Sequence, residues 1–338
     1  MSERKLQWGI LGAAGIALNS VIPGIQKSAR GEVAAIASRD EAKARQAADR
    51  LGIPRAYGSY EALLADERID AVYIPLPNNL HKEWTIRAAE AGKHVLCEKP
   101  IALNAAEAEE MVRACEEAGV KLAEAFMYRH HPRYEQIRDL IASGEIGDIR
   151  GVHGAFTFNN AADKGNIRYR QELGGGSIYD VGVYPISAAR MVLGREPEAA
   201  TAHAFFSPEH GNVDMMASGL LEFSGGVALT FDCGMWAEGR NTLEIVGTEG
   251  RIEIPSAYVC PPDKPSVFYV TVRGRRREVE VPAVNHYSLQ ADDLAAAVLD
   301  GKPQLYAPDD AVRNMRAVDA CLKSARTRSR VVIREESR

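Results

Sequence analysis

Lys99 closes the segment His94-Val95-Leu96-Cys97-Glu98-Lys99, an apolar run ending in a carboxylate and an ammonium and followed by Pro100. Such a run reads as a parallel strand, and in open α/β sheets ligands bind beyond the carboxyl ends of the strands. Proline keeps the residue before it out of helical geometry, which predicts an extended turn that aims the ammonium. A lysine held there can grip a sugar hydroxyl and lower the pKa of a nearby phenol from its usual value of about 10. Glu98 can fix that lysine or a cofactor ribose; the alternative for the tripeptide is a plain surface turn. A phenol is supplied by Gly174-Gly175-Gly176-Ser177-Ile178-Tyr179-Asp180-Val181-Gly182-Val183-Tyr184. Its glycines permit a sharp entry into a helix in which Asp180 and Tyr184, four apart, share one face. Both can then point at one ligand, whereas the blander reading makes Asp180 a helix cap and Tyr184 a core aromatic.

The turn Trp8-Gly9-Ile10-Leu11-Gly12-Ala13-Ala14-Gly15-Ile16-Ala17 follows a strand and opens a helix, the setting of a pyrophosphate cradle. With Gly12 as the first glycine, Ala14 stands at the second position and Ala17 at the third, so the motif is imperfect. The next strand ends Ala37-Ser38-Arg39, with Lys43 four residues on. A hydroxyl and two cations suit a 2′-phosphate, where a carboxylate would suit an unphosphorylated ribose, so NADP is favoured and NAD remains possible. The alternative leaves Arg39 and Lys43 as surface charges beside an Asp40 cap. Leu76, Pro77, Asn78 and His81 lie in a rigid polar loop suited to a nicotinamide ribose, although Asn78 could equally cap the helix that follows.

The elements needed to position these groups are legible in outline. Strand-like and helix-like segments alternate over residues 1–125, which predicts a doubly wound parallel sheet of Rossmann type. After a linking helix at 132–143, residues 126–338 become β-rich, with a helix at 180–193 and two more near the end. This predicts an α+β substrate-binding and oligomerisation domain built on a large, open, mainly antiparallel sheet. Half-apolar strand positions such as Phe205, Leu221, Leu229 and Phe231 suggest that a homodimer or homotetramer forms through that sheet. A length of 338 residues fits two domains, and 46% hydrophobic with 26% charged residues is ordinary for a globular chain. A net charge of −5 gives no footprint for nucleic acid, and the one dense basic run, Arg273 to Arg277, reads as a solvated hairpin turn. Five scattered cysteines, without C-x-x-C spacing, suggest free buried thiols and no metal centre. With no signal-like segment and no long apolar run, the expected location is cytoplasmic and away from membranes.

The Gly12 turn, Pro77-Asn78-x-x-His81, Gly92 to Pro100 and the Gly-Gly-Gly-x-x-x-Asp-x-Gly-x-Tyr segment together resemble the glucose-fructose oxidoreductase, inositol dehydrogenase and MocA (Gfo/Idh/MocA) family, almost end to end. The resemblance is strongest to the branch of NADP-dependent D-xylose dehydrogenases, dimeric dihydrodiol dehydrogenases and glucose-fructose oxidoreductase, with Tyr184 where inositol dehydrogenases carry histidine. It implies Lys99 as a catalytic and substrate-positioning residue, Tyr184 as acid/base and Asp180 as a sugar-hydroxyl partner. Around the cofactor it implies Gly12, Ala13, Ala14, Gly15, Ile16, Ser38, Arg39, Leu76, Asn78, His81, Glu98 and Arg129, and less strongly Arg168 and Tyr287. Met127 departs from the asparagine that many relatives carry, which puts a cofactor amide contact there in doubt. The activity implied is oxidation of an aldose's anomeric hydroxyl to a lactone. Reduction of a keto-sugar, oxidation of a trans-dihydrodiol, or a non-catalytic NADP-sensing role are the alternatives.

Overall fold

The structure, a computed structural model, describes residues 4–334. The chain ends at 1–3 and 335–338, where the two expected domains begin and close, lie outside the described residues. Packing divides the chain into two compact units, residues 1–130 with 285–312, and residues 131–284 with 313–338. The returning segment 285–312 thus packs with the first unit, although its sequence follows the β-rich half.

The first unit holds a six-stranded parallel sheet. In chain order its elements are β1 (Leu6–Leu11), α1 (Ile22–Lys27), β2 (Gly31–Ala37), α2 (Glu41–Leu51), β3 (Ala56–Tyr57), α3 (Tyr60–Leu64), β4 (Ala71–Ile74), α4 (His81–Glu90), β5 (His94–Cys97), α5 (Ala105–Glu117) and β6 (Leu122–Glu124). The strand order β3-β2-β1-β4-β5-β6 reverses direction of growth beside β1, which puts the crevice for a ligand beyond the ends of β1 and β4. Ile10, Tyr73, Ile74 and Val95 are buried as expected for strands covered on both faces. The short β3 and α3 lacked a clear periodic signal, because each is too brief to show one.

The second unit carries α6 (Arg133–Ala142), β7 (Ile149–Asn159), α7 (Val183–Leu193), β8 (Ala199–Ser207), β9 (Val213–Phe223), β10 (Val227–Gly234), β11 (Trp236–Gly247), β12 (Gly250–Ile254), β13 (Ser266–Val272) and β14 (Arg275–Val281). After α8 (His286–Leu299) in the first unit come α9 (Asp309–Thr327) and the edge strand β15 (Val331–Val332). The nine-stranded sheet runs β14-β13-β12-β11-β7-β10-β9-β8-β15, antiparallel except for β10 against β7. Arg273 and Gly274, both at positive φ, form the tip of the β13–β14 hairpin, and Arg275 to Arg277 continue into β14. One face of the sheet packs on α7 and is apolar. Leu221, Leu229 and Phe231 lie on that buried face; of the four half-apolar positions named for association, Phe205 alone is exposed. The open face is mostly polar, with Phe205 stacked on Trp236 at 4.9 Å.

All five cysteines are buried, and among the described residues none is held in a disulfide. Among the described residues no helix is long and apolar enough to cross a membrane.

Candidate active site

In the first unit the chain leaves β1 at Gly12, whose φ of +119° is open to glycine and strained for other residues. Gly12 N–H donates to the Ala37 carbonyl at 2.9 Å, and a Cβ at Gly12 would lie 3.1 Å from Leu76 Cδ2. Ala13 and Ala14 are half-buried, Gly15 and Ile16 are exposed, and a π-helical turn, Ala17–Val21, leads into α1. No side chain caps the first residue of that turn. A helix start with outward-facing residues and no internal cap is a fitting seat for a dinucleotide's phosphates. Ala17 is fully buried, where a larger residue would crowd the helix against the sheet.

Ser38 follows β2, its Oγ accepting from Asp40 N–H at 3.2 Å, and Asp40 caps α2 by accepting from Lys43 N–H at 3.3 Å. Arg39 and Lys43 are exposed, so their charges remain at the surface beside this turn. Burial is the main cause that raises the Tyr60 pKa, and the nearby Arg39 charge partly offsets it. A Cβ at Gly12 would lie 3.8 Å from the Tyr60 hydroxyl, so Tyr60 stands beside the glycine turn.

His81, expected beside the cofactor, is fully buried at the start of α4. Its Nδ1 lies 2.9 Å from the Pro100 carbonyl oxygen and its Nε2 2.8 Å from that of Leu76. It therefore braces the Leu76–Pro77 loop against the Lys99–Pro100 turn, whose peptide bond is cis. Burial lowers the His81 pKa, the backbone contacts draw it back up and the Lys99 charge pushes it down again, which places Lys99 within electrostatic reach. Asn78 opens a 3₁₀ turn, and α4 begins without a side-chain cap, so Asn78 does not fill the capping role.

Glu98 Oε1 accepts from the Tyr73 hydroxyl at 2.6 Å. Burial, then the Glu98 charge, raises the Tyr73 pKa well above its ordinary value, and Tyr287 contributes in the same direction. Glu98, Tyr73 and Tyr287 are thus neighbours, and Tyr287 packs on Gly24. Arg129 is buried, paired with Asp310 at 2.5 Å and set between the Phe126 and Tyr306 rings at 4.5 and 4.8 Å. Burial alone would lower its pKa; the Asp310 carboxylate, with Tyr128, Glu124 and Tyr306 acting in the same sense, outweighs that and leaves the guanidinium charged.

In the second unit Gly176, at φ +125°, turns the chain into a π-helical turn, Ile178–Gly182, continued by α7. Asp180 pairs with Arg168 Nε at 2.6 Å. Asp180 is the largest cause raising the Arg168 pKa, and Tyr184 acts in the same sense, so the three side chains form one cluster. The Tyr184 ring meets Phe156 edge-on at 5.1 Å and Tyr258 at 5.5 Å, leaving 6% of the residue exposed. Arg168, expected at the cofactor, stands here as the partner of Asp180 and lies over Phe158 at 5.9 Å. A trough of about 850 Å³ lies on the opposite, open face of the sheet among His203, Asp232, Arg240 and Glu244.

Sequence reasoning missed Tyr60, Tyr73, Asp310 and Asp214. Asp214 is a carboxylate inside the apolar strand β9, 2% exposed, and that interruption was its readable signal.

Residues 6–126 match the family model of the oxidoreductase family with an NAD-binding Rossmann fold, and residues 134–253 match that of the GFO/IDH/MocA C-terminal domain. The chain is 42% identical over 322 residues to a D-xylose 1-dehydrogenase (NADP(+)) from Haloferax volcanii, covering 95% of this chain and 98% of that one. Among solved structures it is similar to a 3-ketoreductase from Actinomadura kijaniata in complex with NADP and TDP-benzene, with a TM-score of 0.90 at 33% identity, covering 95% and 98% of the two chains. An aldose-aldose oxidoreductase from Caulobacter crescentus gives a TM-score of 0.90 at 30% identity, covering 97% and 100%.

Proposed function

The chain belongs to the Gfo/Idh/MocA oxidoreductase family and is an NAD(P)-dependent sugar oxidoreductase; from that premise we propose that it oxidises the anomeric hydroxyl of a D-xylose- or D-glucose-type aldose to a lactone. The carrying observation is the Arg168–Asp180–Tyr184 cluster, which joins a phenol to a carboxylate already held in place. Residues 12–16 would hold the pyrophosphate of NADP, Ser38, Arg39 and Lys43 its 2′-phosphate, and Leu76, Pro77, Asn78 and Glu98 its nicotinamide half. His81 acts through the loops it braces, and Arg129 through the segment it anchors. When bound there, NADP would supply the hydride acceptor for the oxidation at C1.

Tyr184 removes the proton of the anomeric hydroxyl. Its ring is fixed by Phe156 and Tyr258, which keep water from its flanks. Asp180, oriented by Arg168, accepts a hydrogen bond from a sugar hydroxyl. Lys99 would grip a substrate oxygen, and its positive charge is of the kind that stabilises an oxyanion. A positioned base of this kind contributes about 10² to 10⁴ in rate. Tyr184→Phe and Lys99→Ala are therefore expected to lower kcat by at least about 100-fold with NADP affinity retained. NADPH formation over a panel of aldoses tests this, and near-normal turnover by either variant overturns it.

The similarity to the 3-ketoreductase supports a second reading, in which Tyr184 donates a proton to a keto-sugar. NADPH consumption with a nucleotide-linked 3-keto-sugar, and none of its formation from free aldoses, selects that reading; oxidation of trans-dihydrodiols is assayed in the same panel. Failure on every substrate with NADP still bound selects the sensing role.

The open sheet face is proposed as the contact with a second copy of the chain. Its stacked Phe205–Trp236 pair is exposed, and its charges alternate in sign from Asp232 to Arg240, Glu244 and Arg276, a pattern that a two-fold axis can make self-complementary. Trp236→Glu is expected to shift the molar mass measured by light scattering towards the monomer.

A further inference from the structure

We propose that Asp214 is the positioning residue of the acid/base turn: its carboxylate caps the start of the helix bearing Asp180 and Tyr184 and thereby sets where the phenol stands. This rests on the reading of Tyr184 as acid/base.

Asp214 lies in β9, beneath the first turn of that helix. Its Oδ2 accepts from Ile178 N–H at 2.7 Å and from the Ser177 hydroxyl at 2.8 Å. Gly176 is built around it, because a Cβ there would collide with Asp214 Oδ1. Two independent features, a mirror-region glycine and a doubly accepting carboxylate oxygen, thus define one geometry. The following π turn carries Asp180, and its continuation carries Tyr184. A π turn shifts the register of every residue after it, so the group that fixes its first N–H also fixes the direction of the side chains beyond.

A buried carboxylate is an expensive way to cap a helix where a neutral acceptor would serve, and such costs concentrate at functional sites. The groups around Asp214 are few in kind. Ser177 and Ile178 face it from the helix, Phe206 is its partner on β8, and on β10 the Cys233 thiol reaches it through Ser177, Oγ to Sγ 3.6 Å. Burial raises the Cys233 pKa well above its usual value, so that thiol stays neutral. Burial also raises Asp214 to about 6, against the opposing donors of Ile178 and Ser177. The cap is charged above that pH and protonated below it.

The test compares Asp214→Asn, Ser177→Ala and Tyr184→Phe in the full chain, with NADP and the aldose that the wild type oxidises fastest. Asp214→Asn is expected to lower kcat at least tenfold with the Kd for NADP within twofold of wild type, and to remove the acid limb of the kcat profile near pH 6. Ser177→Ala, which removes one donor and keeps the carboxylate, is expected to give a smaller kcat loss with the acid limb retained; it carries the test should Asp214→Asn not fold. Wild-type kcat and pH profile in Asp214→Asn, or in Ser177→Ala alone where the other variant is unfolded, overturn the assignment. An inactive Tyr184→Phe beside a normal Asp214→Asn overturns this proposal alone, whereas an active Tyr184→Phe overturns the acid/base reading and this proposal with it.

Discussion

Gly12 and Gly176 stand at φ +119° and +125°, and each turns the chain into a π-helical turn that an α-helix continues. The two segments differ in what meets the helix start. After Gly176 the first N–H and the neighbouring hydroxyl are taken by Asp214. After Gly12 no side chain caps the turn, and Gly15 and Ile16 face outward. A helix N-terminus attracts an anion whatever its source. On the proposed reading the anion at the Gly12 turn arrives with NADP and the chain leaves that position open, whereas at the Gly176 turn the anion belongs to the chain and fixes geometry.

Making the two starts alike breaks the comparison most severely. Gly176→Ala drives a Cβ into Asp214 and misplaces the turn; a displacement near 1 Å can cost about 100-fold, so kcat should fall by that much with NADP affinity unchanged. Steady-state kinetics with a fluorescence titration of NADP read both quantities. Gly15→Asp makes the opposite exchange by giving the open helix start its own carboxylate. The Kd for NADP should rise by about 10- to 100-fold as that charge competes with phosphate, with Tm unchanged or slightly higher. Unaltered NADP binding would mean that the phosphates lie elsewhere. A smaller effect is expected from Arg39→Ala, which removes one charge-assisted contact worth about 1.5–3 kcal/mol and should reduce the preference for NADP over NAD by about tenfold or more.

The difference between the two segments was only half legible in the sequence. Strand alternation and the Gly12 turn revealed the parallel sheet, because every step in a doubly wound fold is local and repeats. The glycine run before Asp180 likewise marked a sharp entry into a helix. What could not be read was the long-range closure: Asp214 comes 37 residues after Ser177, and nothing in its own neighbourhood says that its carboxylate meets that helix. Arg129 shows the same limit, its ion-pair partner Asp310 being 181 residues away. Arg168 and His81 were expected at a cofactor from the family resemblance and, for His81, from its place in the polar loop; the ion pair with Asp180 and the two carbonyl contacts are tertiary facts without a sequence period. Face assignment failed for Leu221, Leu229 and Phe231, since alternation divides residues into two faces without saying which is covered.

The finest test concerns stability, because the occupied helix start must carry a titration that the open one lacks. Asp214 rises from an ordinary value of 3.8 to about 6 on folding. Between roughly pH 4 and 6 the folded chain therefore holds a proton that the unfolded chain has released, and stability falls as pH rises through that window. At about 1.4 kcal/mol per pH unit the loss is on the order of 3 kcal/mol, complete above pH 6. Asp214→Asn cannot titrate, so urea unfolding at pH 4.5 and 7.5 should show the wild type losing more stability than the variant over that interval. Parallel changes in the two proteins would mean that Asp214 titrates alike folded and unfolded. The sign matters for the chemistry: the ionised cap that orients the acid/base helix is the state in which this part of the fold is weakest, so turnover and stability should move in opposite directions across pH 6.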